Sequence, residues 1–167
     1  PRAPSDPERL QWEQRRFDTI LDAYHRGLQE SLLYRFGLVP VRLEAADLVT
    51  YPFLHTGWFH LLLNLLGLWV IAPFVEDVWG RPLFVAFYLA AGAVAGLMYA
   101  VRYPGLEVPL VGASGAIAGV MGAFLVRYFR SQVRFLLWLG VPVGPFQAPA
   151  WVILPGWFGI QLLSAQA

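Results

Sequence analysis

A run of twenty residues without a charged side chain, Pro82 to Val101, limits most strongly how this chain can fold. In water such a run has to be buried inside a protein, whereas a helix of roughly 20 apolar residues crosses the apolar core of a bilayer, which is about 30 Å thick. The composition favours the bilayer, because 57% of the residues are hydrophobic and only 14% are charged. The sequence therefore predicts a membrane-embedded chain.

Other stretches meet or approach the same criterion. Trp58 to Val75 and Leu110 to Val126 are predicted as the first and third spans, with Pro82 to Val101 between them as the second. No residue after Arg134 is charged, but three prolines and a glycine interrupt residues 142–149, so a fourth span is expected only from about Ala150 onward. The predicted fold class is all-α, a polytopic bundle of transmembrane helices.

The first fifty residues differ from the rest, because they hold seven of the twelve basic residues and eight of the eleven acids. Pro7 to Tyr34 carries apolar residues at the spacing of one helix face. This pattern predicts an amphipathic N-terminal helix that lies at the membrane surface, against the bundle or in solvent as a connecting helix. We predict two units, a polar and amphipathic segment at residues 1–50 and a transmembrane domain at residues 51–167.

Basic residues between the spans predict the orientation of the chain. The segment after the third span contains Arg127, Arg130 and Arg134 and no acid, so this end is expected to be cytoplasmic. The N-terminal ends of the first and third spans then face the outer side. A formal net charge of +1 and the lack of a basic run argue against nucleic acid as a partner, and the absence of Cys excludes disulfides and thiolate chemistry.

Polar residues interrupt two of the predicted spans at matching depths. His60 and Asn64 are four residues apart and share one helix face, and Ser114 lies between glycines at the start of the third span. Such residues avoid lipid and point into a bundle, where they either hold helices together or form a polar site. A serine at the entry to a helix has an accessible hydroxyl and nearby backbone N–H groups, which acyl transfer requires.

The chain resembles the rhomboid family of intramembrane serine proteases in two motifs. It has His-x-x-x-x-His-x-x-x-Asn from His55 to Asn64 at the opening of one span, and Gly-Ala-Ser-Gly-Ala from Gly112 at the opening of the span after next. Phe-Gly-Leu-Val-Pro upstream and Val-Glu-Asp at the end of the first span extend the resemblance to about residues 34–161.

The resemblance implies a role for each matching position. Ser114 matches the nucleophile that attacks a peptide carbonyl of a transmembrane substrate. His60 and Asn64 match the side chains that hold the oxyanion together with the N–H of Ser114, and Gly112 matches the glycine that lets the backbone turn toward that oxyanion.

Two further positions match structural residues of the family. His55 matches the first histidine of the motif, and Glu76 matches an acid at the cytoplasmic end of its span. No cofactor is implied. No metal site is expected either, since His55 and His60 would lie about 140° apart around an ideal helix and no third ligand is near.

The chain departs from the family in one important respect. The family's serine is activated by a histidine on the last core span, within an Ala-His-x-x-Gly-like motif, and no histidine follows His60 here. We interpret the chain as truncated at its C-terminus, with about four of six core spans present, so that it supplies the serine and the oxyanion hole without the histidine. On this interpretation the fragment itself is expected to be inactive.

The resemblance implies a multi-pass integral membrane protein, with transmembrane proteins as substrates, in a bacterial inner membrane and with its active site toward the outer side. Two alternatives remain open at this stage. A catalytically inactive rhomboid-like protein would bind transmembrane partners without hydrolysis. An unrelated bundle of small-residue helices, such as part of a transporter, would use the same polar residues to line a path.

Overall fold

The computed structural model describes residues 7–138 and 142–164, so the parts of the two predicted units at residues 1–6, 139–141 and 165–167 lie outside the description. The described chain forms seven α-helices and a two-stranded antiparallel sheet. The helices are α1 (Pro7–Glu30), α2 (Leu32–Phe36), α3 (Asp47–Thr50), α4 (Trp58–Trp79), α5 (Arg81–Arg102), α6 (Ser114–Arg127) and α7 (Ala150–Ser164), and the strands are β1 (Gln132–Trp138) and β2 (Pro142–Pro149). Short 3-10 turns occupy Pro40–Arg42 and Tyr51–Phe53.

The two longest apolar helices, α4 and α5, correspond to the first two predicted spans. Each has 22 residues and is long and apolar enough to cross a membrane. Only 17% of the most apolar window of each helix is buried inside the protein, so its surface suits lipid rather than water. Gly80, with φ of 77°, joins the two helices, and Pro82 lies in the first turn of α5. The predicted helical membrane bundle is confirmed.

The third predicted span begins later than the sequence indicated. Helix α6 starts at Ser114, and the expected start at Leu110 is wrong because Leu110 pairs with Leu38 in an isolated antiparallel bridge. The N–H and the carbonyl of Leu110 therefore bond to Leu38 and not to residues of α6. With 14 residues, α6 rises about 21 Å, which is less than the thickness of the apolar layer.

The fourth apolar segment begins its helix at Ala150, as predicted. Before it, the segment with several prolines forms the β1–β2 hairpin, which the sequence analysis did not identify. Its register pairs Gln132 with Pro149 and Phe135 with Phe146. The hairpin returns the chain to the end of α6, where the N–H of Ala150 donates to the carbonyl of Ser131 at 2.9 Å. The hairpin is therefore an addition at one end of a helical bundle.

The amphipathic N-terminal helix is present but shorter than predicted. Helix α1 ends at Glu30, because the hydroxyl of Ser31 accepts a hydrogen bond from the N–H of Tyr34 at 3.1 Å and caps a new helix, α2. Among the described side chains of α1, the large apolar residues are exposed, and Phe17 shows 59% of its surface. Packing of these residues against the bundle is not observed.

Small residues allow the backbones of α5 and α6 to pack closely against each other. A Cβ added to Gly115 would lie 2.6 Å from the Cβ of Ala95, and one added to Gly119 would overlap the Cβ of Ala91. Gly115 and Gly119 therefore form a small-residue face on α6. Close backbone approach of this kind is the usual basis of helix association in membranes, where burial of apolar surface provides little driving force.

The interior of the bundle is built on this contact. Helix α6 contributes Ile117, Val120 and Phe124, which are all at most 6% exposed. They pack against α4 on one side and against the start of α7 on the other. A second buried cluster, formed by Leu38, Tyr51 and Ala100, covers the opposite end of α5. The first cluster holds the helices together, and the second attaches the polar segment to them.

Replacing Gly119 by Ala tests the close contact between α5 and α6. We expect Gly119→Ala to lower the free energy of unfolding by about 1–3 kcal/mol, because the new methyl group overlaps Ala91 and forces the helices apart. The measurement is the thermal unfolding midpoint in detergent, followed by circular dichroism. Gly122→Ala is the matched control, since nothing lies within 4 Å of a Cβ at that position of the same helix. Equal midpoints for Gly119→Ala and the wild type would contradict the packing described here.

Candidate active site

The chain between α5 and α6 is held in place by backbone hydrogen bonds to the segment before α4. Leu38 and Leu110 exchange two N–H···O bonds of 3.0 and 2.8 Å, and the N–H of Gly112 donates to the carbonyl of Tyr51 at 3.1 Å. Gly112 has φ of 116°, a conformation that side-chain-bearing residues rarely adopt. The turn at Gly112 directs the backbone into α6 two residues later.

Tyr51 connects this turn with the helix pair and was not identified from the sequence. Its side chain is 1% exposed, and its hydroxyl donates to the carbonyl of Gly92 in α5 at 2.7 Å. A Cβ on Gly96 would lie 2.9 Å from the ring, and one on Gly115 would lie 3.3 Å from the hydroxyl. The tyrosine thus occupies space that glycines leave open. The sequence signal for this contact is the pair Gly92 and Gly96 in α5, because such glycines allow close approach, but the pair does not show what approaches.

Ser114 is the first residue of α6 and is half-buried. The first backbone bond of the helix runs from the N–H of Ile117 to the carbonyl of Ala113 at 2.9 Å. The N–H groups of Ser114, Gly115 and Ala116 therefore have no acceptor in the helical ladder, as at any helix start. Within residues 7–138 and 142–164, nothing forms a hydrogen bond with the Ser114 hydroxyl. The start of α6 thus presents a serine hydroxyl together with three backbone N–H groups that can donate hydrogen bonds.

His60 meets this turn from the first part of α4. A Cβ built on Gly112 would lie 2.8 Å from Cε1 and 2.9 Å from Nε2 of the His60 ring, so this edge of the imidazole lies directly against the glycine. Nδ1 is turned away and lies 3.3 Å from the hydroxyl of Thr56. The structure therefore places the His60 ring against the turn two residues before Ser114. The position of this ring also explains why no side chain fits at position 112.

Asn64 lies one turn farther along the same face of α4. It is 7% exposed, and its Nδ2 donates to the backbone carbonyl of His60 at 2.9 Å. An amide nitrogen carries two protons, so one N–H remains for another acceptor. In the described chain no hydrogen bond joins Asn64 to Ser114. The side chain is thus buried on the same helix as His60.

His55 stands beside His60 rather than beside the serine. The two rings are 5.0 Å apart between centroids, with an edge-on angle of 72°. Burial, followed by the neighbouring His60, lowers the pKa of His55, and a hydrogen bond to the Phe53 carbonyl partly offsets this effect. This shift favours the neutral form of the ring. Its Nε2 is buried and has no hydrogen-bond partner among the described residues.

Glu76 lies at the opposite end of α4 from the other candidate residues. Sixteen residues separate it from His60, which corresponds to about 24 Å along a helix. Its carboxylate accepts a hydrogen bond from Nε of Arg81 at 2.9 Å, and its backbone carbonyl accepts one from the N–H of Gly80 at 2.7 Å. These contacts hold the turn between α4 and α5. The structure thus separates Glu76 from the candidate active site.

Comparison with known proteins identifies one family over most of the chain. The family model of the Rhomboid domain matches residues 42–166. The chain is 38% identical over 96 residues to the rhomboid protease GluP of Bacillus subtilis, covering 58% of this chain and 18% of that protein. It is 37% identical over 87 residues to the putative rhomboid protease YdcA of Bacillus subtilis, covering 52% of this chain and 43% of that protein.

A mitochondrial relative is aligned over more of the chain. The Saccharomyces cerevisiae rhomboid protein 1, mitochondrial, is 30% identical over 132 residues, which are 76% of this chain and 35% of that protein. The chain spans less than half the length of each of these three relatives. No solved structure matched.

Replacing Gly112 by Ala tests the contact between the turn and His60. We expect Gly112→Ala to destabilise the fold by about 1–3 kcal/mol, because alanine is strained at a φ of 116° and its methyl group would lie 2.8 Å from the imidazole. The measurement is the unfolding midpoint in detergent. Gly105→Ala, in the same connection and with nothing within 4 Å of its Cβ, serves as the control and should unfold like the wild type. Similar midpoints for the two variants would refute this account of the turn.

Proposed function

The chain belongs to the rhomboid family, and we propose that it carries the nucleophile and the oxyanion-binding groups of a serine endopeptidase that cleaves transmembrane segments of other membrane proteins. The observation that carries the proposal is the position of the His60 ring against Gly112, two residues before a serine that starts α6. In this proposal the imidazole and the free N–H groups of the helix start lie around the place where a substrate carbonyl would meet the serine.

In the proposed reaction the Ser114 oxygen attacks a peptide carbonyl carbon. A new C–O bond forms, the carbonyl oxygen becomes an oxyanion, and the hydroxyl proton passes to a general base. Nε2–H of His60, the second N–H of Asn64 and the backbone N–H of Ser114 are the donors assigned to the oxyanion. The positive end of the α6 dipole stabilises the same charge.

The general base that accepts the serine proton has to be a different group from these oxyanion donors. The histidines of the sequence are at positions 25, 55 and 60, and residues 61–167 contain none. His60 is assigned to the oxyanion, so we do not assign it a second role as base. In the proposal this chain supplies the serine and the oxyanion-binding side chains, and a histidine on a further span would take the proton.

The substrate is proposed to be a membrane-spanning segment. A peptide bond must be extended to reach Ser114, whereas a transmembrane helix satisfies its backbone hydrogen bonds internally. Segments that unwind easily near the outer leaflet are therefore preferred, because Gly and Pro weaken a helix. We place the active site toward the outer side of a bacterial inner membrane, on the basis of the arginines at the other end of α6.

One observation favours a second candidate function. The absence of a histidine after His60 would suit a rhomboid-like protein that binds transmembrane partners without cleaving them. Such a protein would keep the bundle and the apolar surface of α4 and α5. Membership of the rhomboid family replaces the earlier alternative of an unrelated transporter-like bundle.

Labelling of Ser114 tests the nucleophile assignment. The chain, continued by the family's last core span with its histidine motif, should react with a fluorophosphonate probe, with loss of fluoride and formation of a bond from Oγ to phosphorus. Ser114→Ala should abolish this labelling, measured by gel fluorescence. Ser131→Ala removes an exposed serine at the other end of α6 and should label like the parent. Labelling that persists in Ser114→Ala refutes the assignment, and a parent that never labels favours the binding protein.

Alanine variants of the oxyanion donors test the division of roles. His60→Ala and Asn64→Ala in the same continued chain should each lower kcat about 100- to 1,000-fold with little change in KM, since these donors act on charge that develops in the transition state. Cleavage of a transmembrane substrate in proteoliposomes measures both constants. Leu65→Ala, next to Asn64 but 51% exposed, should retain the parent kcat. A higher KM at unchanged kcat would instead indicate a packing role.

A further inference from the structure

The His60 ring is contacted on two opposite sides, and only one of these contacts belongs to the motif residues. The Cε1–Nε2 edge faces Gly112, where a Cβ would lie 2.8 and 2.9 Å from these atoms, whereas Nδ1 would be 4.0 Å away. Nδ1 instead lies 3.3 Å from Oγ1 of Thr56. Thr56 precedes α4 and is four residues before His60, so its hydroxyl reaches the ring from the outer end of the helix.

The two ring nitrogens therefore have different requirements for protons. A neutral imidazole carries one N–H, and its other nitrogen is an acceptor. If the Thr56 hydroxyl donates to Nδ1, the ring proton must be on Nε2, which is the nitrogen beside Gly112. If Nδ1 carried the proton, Nε2 would present a lone pair toward the turn and could not donate to an oxyanion.

The hydroxyl of Thr56 has the position needed to define the tautomer of His60. With Nδ1 as the acceptor of this hydroxyl, a neutral ring with its proton on Nε2 fits both contacts. The hydroxyl of Thr56 makes no other hydrogen bond in the described part of the chain, so it is available to define that state.

We propose that Thr56 is a positioning residue whose hydroxyl donates to Nδ1 of His60, holds the ring as the neutral Nε2–H tautomer and keeps that N–H facing the turn at Gly112. The catalytic meaning of this contact rests on the proposed function, because the N–H then points to where an oxyanion would form. The hydrogen bond itself does not depend on activity.

Nitrogen-15 NMR of the 167-residue chain in detergent micelles tests the proposal directly. The chain has three histidines, so ring resonances labelled with ¹⁵N can be assigned with one variant for each histidine. Long-range proton–nitrogen correlation spectra distinguish the two tautomers. We expect His60 to be Nε2–H in the wild type, with its Nδ1 resonance shifted upfield by an accepted hydrogen bond.

Variants of Thr56 show whether this residue is the donor. Thr56→Val keeps the shape and removes the hydroxyl, so the Nδ1 resonance should move downfield and the second tautomer should become detectable. Thr56→Ser should restore the wild-type spectrum. Thr19→Val is the control, since that hydroxyl bonds to the Arg15 carbonyl on α1, far along the chain from His60. A wild-type His60 in the Nδ1–H form, or a spectrum unchanged in Thr56→Val, overturns the proposal.

A second measurement separates this inference from the proposed function. In the continued chain, Thr56→Val should lower kcat at unchanged KM by less than His60→Ala does, and Thr56→Ser should recover the loss. If Ser114 never reacts while the tautomer depends on Thr56 as expected, the proteolytic function fails and the role of Thr56 in holding His60 stands. If turnover is normal but the tautomer does not depend on Thr56, the positioning role alone fails.

Discussion

The close contact between the backbones of α5 and α6 is the constraint on which the rest of the structure depends. In a membrane the burial of apolar surface adds little to helix association, so contact at Gly115 and Gly119 has to provide it through packing. Tyr51 packs beside Gly96 of α5 and holds the turn at Gly112 through its carbonyl. The position of Ser114 therefore depends both on helix packing and on the hydrogen-bonded connection that precedes it.

The polar groups of the candidate site are fixed by this scaffold in different ways. His60 and Asn64 are placed by their spacing on α4, and the Asn64 side chain is held by the His60 carbonyl. Ser114 is placed by the start of a helix, where backbone donors are already free. The His60 ring reaches the start of α6 at Gly112, which has no side chain to keep the imidazole away. His60 and the start of α6 thus approach each other across a residue without a Cβ.

The sequence predicted much of this arrangement because several of its signals are local. Charge-free runs indicated α4, α5 and the start of α7, and the interval from His60 to Asn64 indicated a shared helix face. The start of α6 was misplaced because the pairing of Leu110 with Leu38 and the bond from Gly112 to Tyr51 join residues more than sixty positions apart. The hairpin was missed because its pairing partners are not visible in composition, although its prolines correctly excluded a helix. The break at Ser31 had a local signal, since serine is a common helix cap, but the apolar periodicity continued through it.

Under the proposed function, the short length of α6 would give the surrounding lipid an influence on the reaction. The helix is about 9 Å shorter than an average apolar layer. Bilayers adapt to such a mismatch by thinning around the protein, and the cost depends on the acyl chains present. Under the proposed function, the register at which a substrate segment presents its backbone to Ser114 would depend partly on membrane thickness. The chain would then cleave different bonds in thin and in thick bilayers.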